Sequence, residues 1–219
     1  MPRADLERHG ATAVVRLTTD DNLVDADLLA DLTAALDEVE ADPELTALVT
    51  TGSTKAYSTG FDLERLLGLG DEAGAFLAEA NRLLARLVTF SRPTVAALNG
   101  HAFGIGAVLA LAHDQRTMRE DRGWFCLPEV DLGLQLPAFW STLLTLRAGD
   151  ATALEAISTG RRYDGPAAVA AGLARSAHPS DGLLDASVAL AAERAGKPPA
   201  MVATLKGDLY RPLLALLDG

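Results

Sequence analysis

The chain has 219 residues, 49% of them hydrophobic and 22% charged, with 30 acidic against 19 Lys and Arg side chains for a formal net charge of −11. That composition supplies a sizeable core and excludes disorder, while the acidity excludes a nucleic-acid partner, which needs a basic footprint. The lone cysteine, Cys126, excludes an intrachain disulfide framework and a Cys-based zinc site.

No apolar run reaches the roughly 18–20 residues of a membrane span. The opening Met1-Pro2-Arg3-Ala4-Asp5 lacks the apolar stretch of a secretory signal. A cytoplasmic protein with no membrane partner is the expectation. Ala13 to Leu17 is short and β-branched and reads as a strand. Val24 to Glu40 places Leu28, Leu29, Leu32, Leu36 and Val39 at helical spacing, and Asp42-Pro43 ends that helix. Thr46 to Thr51 is a second apolar strand, closed by Gly52-Ser53. Phe76 to Phe90 is a second amphipathic helix, with Leu83, Leu84, Leu87 and Val88 on its apolar side and Arg92-Pro93 as its stop. Thr94 to Leu98 is a third strand, Asn99-Gly100 a turn, and Gly106 to Ala112 a buried helix of small residues.

Beyond it, Arg116 to Met118 and Trp124-Phe125 read as strands, with helices after Pro137, Gly149 and Pro166. Asp181 to Ala195 and Pro199 to Leu217 read as two terminal helices. Short strands alternating with helices predict an α/β fold with a mostly parallel sheet.

Two strand ends carry the chemistry. The second strand runs out through Lys55-Ala56-Tyr57-Ser58-Thr59-Gly60-Phe61-Asp62-Leu63. Gly60 permits an unusual backbone angle there, and Asp62 caps a helix beginning at Leu63. The N–H groups near Phe61 are then free to meet a developing negative charge. The third strand ends in Asn99-Gly100-His101-Ala102-Phe103-Gly104-Ile105-Gly106-Ala107, again glycine-rich before a helix. Two such ends facing one cleft make an oxyanion hole, often the largest single contribution in acyl chemistry. A dinucleotide fingerprint is disfavoured, because Gly104-Ile105-Gly106-Ala107-Val108-Leu109 lacks its third glycine.

Glu129 follows the apolar Trp124-Phe125-Cys126-Leu127-Pro128, a setting that raises a carboxyl pKa toward values useful in proton transfer. Asp131 is its neighbouring rival. No Gly-x-Ser-x-Gly occurs, His9, His101, His113 and His178 show no ligand spacing, and Cys126 reads as a core thiol. No metal site is expected.

Taken together these segments resemble the crotonase (enoyl-CoA hydratase/isomerase) superfamily. Lys55 to Leu63 is similar to its K-A-F-x-A-G-x-D-L. Pro93-Thr94-Val95-Ala96-Ala97-Leu98-Asn99-Gly100-His101-Ala102-Phe103-Gly104-Ile105-Gly106 is similar to P-x-I-A-A-V-N-G-x-A-x-G-G-G. Ala110 to Arg116 resembles A-L-A-C-D-x-R, and Phe125 to Gly133 resembles F-x-x-P-E-x-x-L-G. Thr159-Gly160-Arg161-Arg162 with Ala170-Ala171-Gly172-Leu173 resembles a later T-G-R-x…A-x-x-x-G-L-V. The match spans roughly residues 10–175 in the family's order.

The resemblance implies a spiral of repeated ββα units over residues 1–180 and a C-terminal helical trimerisation segment over 181–219. It also implies a homotrimer or hexamer, and an acyl-CoA thioester as substrate, with coenzyme A part of that substrate and no separate cofactor. By position, Phe61 and Ile105 supply the oxyanion N–H groups and Glu129 the acid/base. The substrate would lie along Lys55, Ala56, Thr59, Gly60, Asp62 and Leu63, then Gly104, Val108 and Leu134, with Lys55 and Lys206 toward the coenzyme's phosphates.

The departures favour one reaction. Hydratases of the family carry two glutamates; the first position is Val108 here, and Val cannot hold water. Leu134-Gln135-Leu136-Pro137-Ala138-Phe139-Trp140 replaces a glycine-rich segment and makes the pocket more apolar. Leu127 to Leu134 is similar to the Δ3,Δ2-enoyl-CoA isomerases. A single carboxylate suits proton shuttling, so the resemblance points to double-bond migration from position 3 to position 2. Hydration, another crotonase-type lyase or hydrolase reaction, and non-catalytic acyl-CoA binding are the alternatives.

Overall fold

The computed structural model describes residues 2–217; Met1, Asp218 and Gly219 of the two expected segments lie outside the described residues. The chain opens with an antiparallel pair, β1 (Ala4–His9) and β2 (Thr12–Leu17), of which the first was not expected from sequence. β1 is half-exposed and charged along its length, Ala-Asp-Leu-Glu-Arg-His, so it carries little of the hydrophobic signal that marks a strand.

Helix α1 (Ala26–Ala41) follows, its first turn closed by the Asp25 carboxylate accepting from Leu28 N at 2.9 Å. The five apolar residues at helical spacing form its buried face. β3 (Ala47–Gly52) leads into the short β4 (Ala56–Ser58), then α2 (Leu63–Gly68), a 3-10 turn over Gly70–Glu72 and α3 (Ala73–Val88). β5 (Thr94–Leu98) leads in the same way into β6 (His101–Phe103) and α4 (Ile105–Ala112). β7 (Gln115–Arg119) leads into β8 (Phe125–Cys126) and the helices α5 (Glu129–Leu132), α6 (Ala138–Ala148), α7 (Asp150–Thr159) and α8 (Gly165–Ala170). Each pass is therefore strand, strand, helix, and three passes wind into the expected ββα spiral.

The first strands of the passes join one sheet in the order β1-β2-β3-β5-β7-β9, where β9 is Ser176–His178, parallel except for β1; the second strands form a parallel sheet β4-β6-β8. β4 and β6 escape a sequence reading because they are three residues long and sit inside motifs rich in Gly and polar residues. Asn99 ties two passes together, accepting from Gly52 N at 2.8 Å and donating to the Thr54 carbonyl at 2.9 Å.

Every residue of β3 and β5 is buried, because the large sheet is covered on both faces. Ala13, Val15, Leu48 and Ala96 face the core shared with α1, α3 and α4, while Val14, Val49, Val95 and Ala97 face Leu183 and Ala191 of α9 (Leu183–Glu193). Thr117 and Ser187 hydroxyls bond at 2.6 Å across that second interface. α9, which begins the segment expected to be a C-terminal helical trimerisation segment, covers one face of the large sheet and packs as part of it.

The single terminal helix expected over 199–217 is three pieces, α10 (Pro199–Leu209), α11 (Arg211–Leu214) and a 3-10 turn over Ala215–Leu217. Pro212 has no N–H and its ring would collide with the carbonyl four residues back, so the helix breaks just before it. Among the described residues no helix is long and apolar enough to cross a membrane.

Lys206, expected near phosphates, is engaged within the fold. Its ammonium donates to the Phe90 carbonyl at 3.0 Å, the Arg92 carbonyl at 3.2 Å and Asp114 Oδ2 at 2.7 Å. All three donors are committed to pinning α10 against the entry to β5, where Asp114 also accepts from Thr94 N at 3.0 Å. Replacing Lys206 by Met strands a partly buried carboxylate and two carbonyls. The expected outcome in urea denaturation is a loss of about 2 kcal/mol of stability, with acyl-CoA binding, measured calorimetrically, unchanged.

Candidate active site

The two glycine-rich strand ends meet. Leaving β4, the chain turns at Gly60, whose φ of +93° excludes a β-carbon; one built there would lie 2.8 Å from the Phe103 carbonyl and 3.7 Å from Ile105 N. The Gly60 carbonyl is taken by Val24 N at 2.9 Å. Opposite, Gly104 at φ +52° starts α4 without a side-chain cap. Its own N–H bonds the Cys126 carbonyl at 3.1 Å. Gly106 packs so closely on β4 that a β-carbon there would fall 2.4 Å from the Ser58 carbonyl. Neither Phe61 N–H nor Ile105 N–H has a protein acceptor among the described residues. Two unspent donors therefore sit side by side, one at a helix N-terminus, where the aligned peptide dipoles favour negative charge.

Glu129 closes the third side. It is the first residue of α5, behind Pro128, and its Oε1 lies 3.3 Å from where a Gly104 β-carbon would be. Oε2 is buried with no hydrogen-bond partner. Burial pushes the Glu129 carboxyl above the ordinary glutamate range, opposed in part by its own backbone N–H. A carboxyl that burial makes a stronger base, facing two anion-favouring amides, is suited to taking and returning a proton.

These groups line a cavity of about 250 Å³. Its walls are otherwise apolar: Leu63 and Leu66 of α2, Leu77 of α3, Leu132, Leu134, Pro137 and Trp140, with Thr59 and Gln135 the uncharged polar side chains. Phe61 turns its ring toward Phe76, 5.4 Å away between centroids, and Trp140, 6.1 Å away; the Trp140 indole N–H is fixed on Asn81 Oδ1 at 2.8 Å. Glu129 is the sole carboxylate lining the cavity among the described residues.

Of the residues singled out from sequence, Thr59, Gly60, Phe61, Leu63, Gly104, Ile105, Glu129 and Leu134 share this one cleft. Ala56 is fully buried in β4, and Val108 is fully buried in α4; neither lines it. Asp62 acts as the N-cap of α2, accepting from Arg65 N at 3.1 Å. Lys55 is exposed and 3.3 Å from Asp21. The rival acid Asp131 is turned away, its Oδ2 2.6 Å from a β-carbon built on Gly160. Leu66, Leu77 and Leu132 complete the walls without having been foreseen. Leu66 follows Leu63 at helical spacing, a local signal, whereas Leu77 reaches the cleft only through the packing of α3.

The family model described as "Enoyl-CoA hydratase/isomerase" matches residues 7–216. A relative named "Enoyl-CoA delta isomerase 3" from Arabidopsis thaliana is 34% identical over 224 residues, covering 97% of this chain and 94% of that protein. A "Putative enoyl-CoA hydratase" from Thermus thermophilus is 36% identical over 217 residues, covering 96% and 85%. Among solved structures, an apo enoyl-CoA isomerase of Mycobacterium tuberculosis superposes with a TM-score of 0.91 at 25% identity, over 99% of this chain and 95% of that one. The spiral, the paired glycine turns and these matches agree, and the chain belongs to the enoyl-CoA hydratase/isomerase family.

Proposed function

We propose that the protein is an enoyl-CoA isomerase that moves a double bond from position 3 to position 2 of an acyl chain. The observation that carries this reading is one carboxylate, Glu129, facing two free amides in a cleft with no second acid among the described residues. Hydration needs two groups to hold and activate a water molecule, whereas a shift of the double bond needs one group that carries a proton from C2 to C4. The relative named as a delta isomerase supports this choice.

With the thioester oxygen on the N–H groups of Phe61 and Ile105, the C2 proton becomes acidic. Glu129 takes that proton, the electron pair delocalises over C2 to C4 and the thioester oxygen, and the two amides stabilise the resulting dienolate. Glu129 then returns the proton to C4, leaving the double bond conjugated with the carbonyl. Burial serves Glu129 twice: it strengthens the carboxylate as a base, and it keeps water from quenching the dienolate. Each oxyanion donor is worth about 10²–10³ in rate. The apolar wall accepts the acyl chain. Hydration is the second reading, favoured by the Thermus relative's name and by Gln135 on the cleft wall. We also infer a homotrimer or hexamer, supported by Met201, Leu205 and Leu209, exposed at four-residue spacing along α10.

Incubation with a 3-enoyl-CoA produces the ultraviolet absorbance of a conjugated 2-enoyl thioester. Glu129→Gln lowers kcat by at least about 10³-fold while acyl-CoA still binds. No absorbance at any chain length, or a hydroxyacyl product from a 2-enoyl-CoA at comparable rate, would overturn the isomerase assignment.

The pH behaviour follows from the same burial. Catalysis requires ionised Glu129, so kcat/KM falls on the acid side with an apparent pKa above the ordinary glutamate range. The folded state also holds this proton more tightly than the unfolded chain. Ionisation therefore erodes stability as pH rises from the unfolded value through the folded one. Wild type and Glu129→Gln melt together at pH below that window, and at neutral pH the Gln variant melts higher, by about 2–4 °C, in differential scanning calorimetry.

A further inference from the structure

Behind the cleft lies a buried polar chain that the proposed reaction does not touch. Tyr57 and His113 are fully buried and Thr50 is 2% exposed. Thr50 Oγ1 is 2.8 Å from the Tyr57 hydroxyl and 3.0 Å from His113 Nε2, and His113 Nδ1 is 2.8 Å from the Leu109 carbonyl. We propose that Tyr57, Thr50 and His113 are positioning residues that fix the separation of the two oxyanion donors, Phe61 and Ile105; the inference rests on the oxyanion hole of the proposed function.

The hydrogen atoms in this chain have one consistent arrangement. Burial pushes the His113 pKa down to about 3, so the ring is neutral and carries one N–H. A carbonyl can only accept, so that proton is on Nδ1, facing Leu109. Nε2 is then an acceptor and takes the Thr50 hydroxyl proton. The oxygen of Thr50, having donated, accepts from Tyr57. Every donor is used once, and no member can turn around without leaving a buried partner empty.

The chain joins three elements that the oxyanion hole depends on. Thr50 is in β3 of the large sheet, and Tyr57 is the middle residue of β4. His113 caps the C-terminal end of α4, whose first residue is Ile105. Next to Tyr57, Ser58 meets the bare Gly106 backbone with its carbonyl and its own small side chain, and the turn at Gly60 lies against Ile105 N. With only the small Ser58 side chain between β4 and α4 at that point, and none from Gly106, a displacement of either element is passed on to the distance between the Phe61 and Ile105 amides. The hydroxyl–imidazole chain anchors β4 just before this contact and α4 at its far end, both to the same residue of a central strand.

Thr50→Val and Thr50→Ser separate this role from simple packing. Val keeps the volume and loses the hydroxyl; Ser keeps the hydroxyl and loses a methyl. The readouts are kcat and KM for a 3-enoyl-CoA, and the carbonyl stretching frequency of a bound 2-enoyl-CoA by Raman difference spectroscopy, which reports polarisation by the two amides. Thr50→Val is expected to lose about 10- to 10²-fold in kcat and part of the carbonyl shift, with KM held within about twofold. Thr50→Ser keeps wild-type values. A folded Thr50→Val with unchanged kcat and carbonyl shift overturns the proposal, as does a Ser variant impaired as much as Val. Where Thr50→Val fails to fold, Tyr57→Phe removes one hydroxyl from the same chain and is read the same way. The carbonyl shift is recorded without turnover, so wild type showing the shift but inert toward 3-enoyl-CoA would refute the isomerase assignment alone.

Discussion

The contact between the exit of β4 and the start of α4 governs the rest of the molecule's chemistry. Gly60 against the Phe103 and Ile105 backbone, and Gly106 against the carbonyl and side chain of Ser58, leave no room for a β-carbon on either glycine. Such proximity is available only to glycine, and it costs conformational entropy that a packed core must offset. The core is arranged to do so: α4 is buried along its whole length, held between α3 and α6 on one side and the strands on the other. The ββα spiral brings the second strands of successive passes side by side in parallel. The chain leaves each of β4 and β6 in the same direction, and their terminal amides open toward one cleft.

Glu129 depends on that geometry in turn. It comes from the third pass, immediately after β8, and β8 pairs with β6. The carboxylate thus arrives beside Gly104 because the small sheet adds its strands in order. Its burial follows from the same placement, at the start of α5 and against apolar neighbours, and leaves Oε2 unpartnered. An unpartnered buried acceptor lowers stability. Its presence beside two equally unpartnered donors marks the place where the fold sacrifices stability to hold reactive groups apart from one another and from water.

What sequence reveals here depends on how local each signal is. β5 has the bounds its apolar run predicts, Thr94–Leu98, and α1 and α3 fall where their leucines recur. Gly60, Asp62, Gly104 and Glu129 were legible as turns, a cap and an acid in apolar surroundings, each a property of a few adjacent residues. Their convergence was not readable from spacing, and came through resemblance to a family whose motifs occur in this order. Lys206 shows the converse: an isolated lysine carries no sign of its partners, and only the fold reveals Phe90, Arg92 and Asp114 around it. β1 was missed because Asp5, Glu7 and Arg8 put charges along it and none of its residues is fully buried. The polar chain through His113 was missed because Thr50, Tyr57 and His113 belong to separate elements.

Two local features bear on which family reaction this cleft supports. Val108, fully buried, provides no polar atom to the cleft, and the aromatic trio of Phe61, Phe76 and Trp140 dries the wall beside the two unpartnered amides. A dry wall disfavours an attacking water and preserves a charge-delocalised intermediate until its proton returns. On the proposed reading it also places an aromatic side chain on the residue whose own N–H would meet the thioester, so that Phe61 would join acyl recognition to carbonyl activation. On the isomerase reading, a chain that packs well against Phe61 seats its carbonyl well on the same residue's amide. Binding energy from the acyl tail is thereby expressed at the reacting centre, where it lowers the barrier to proton transfer instead of merely tightening the complex.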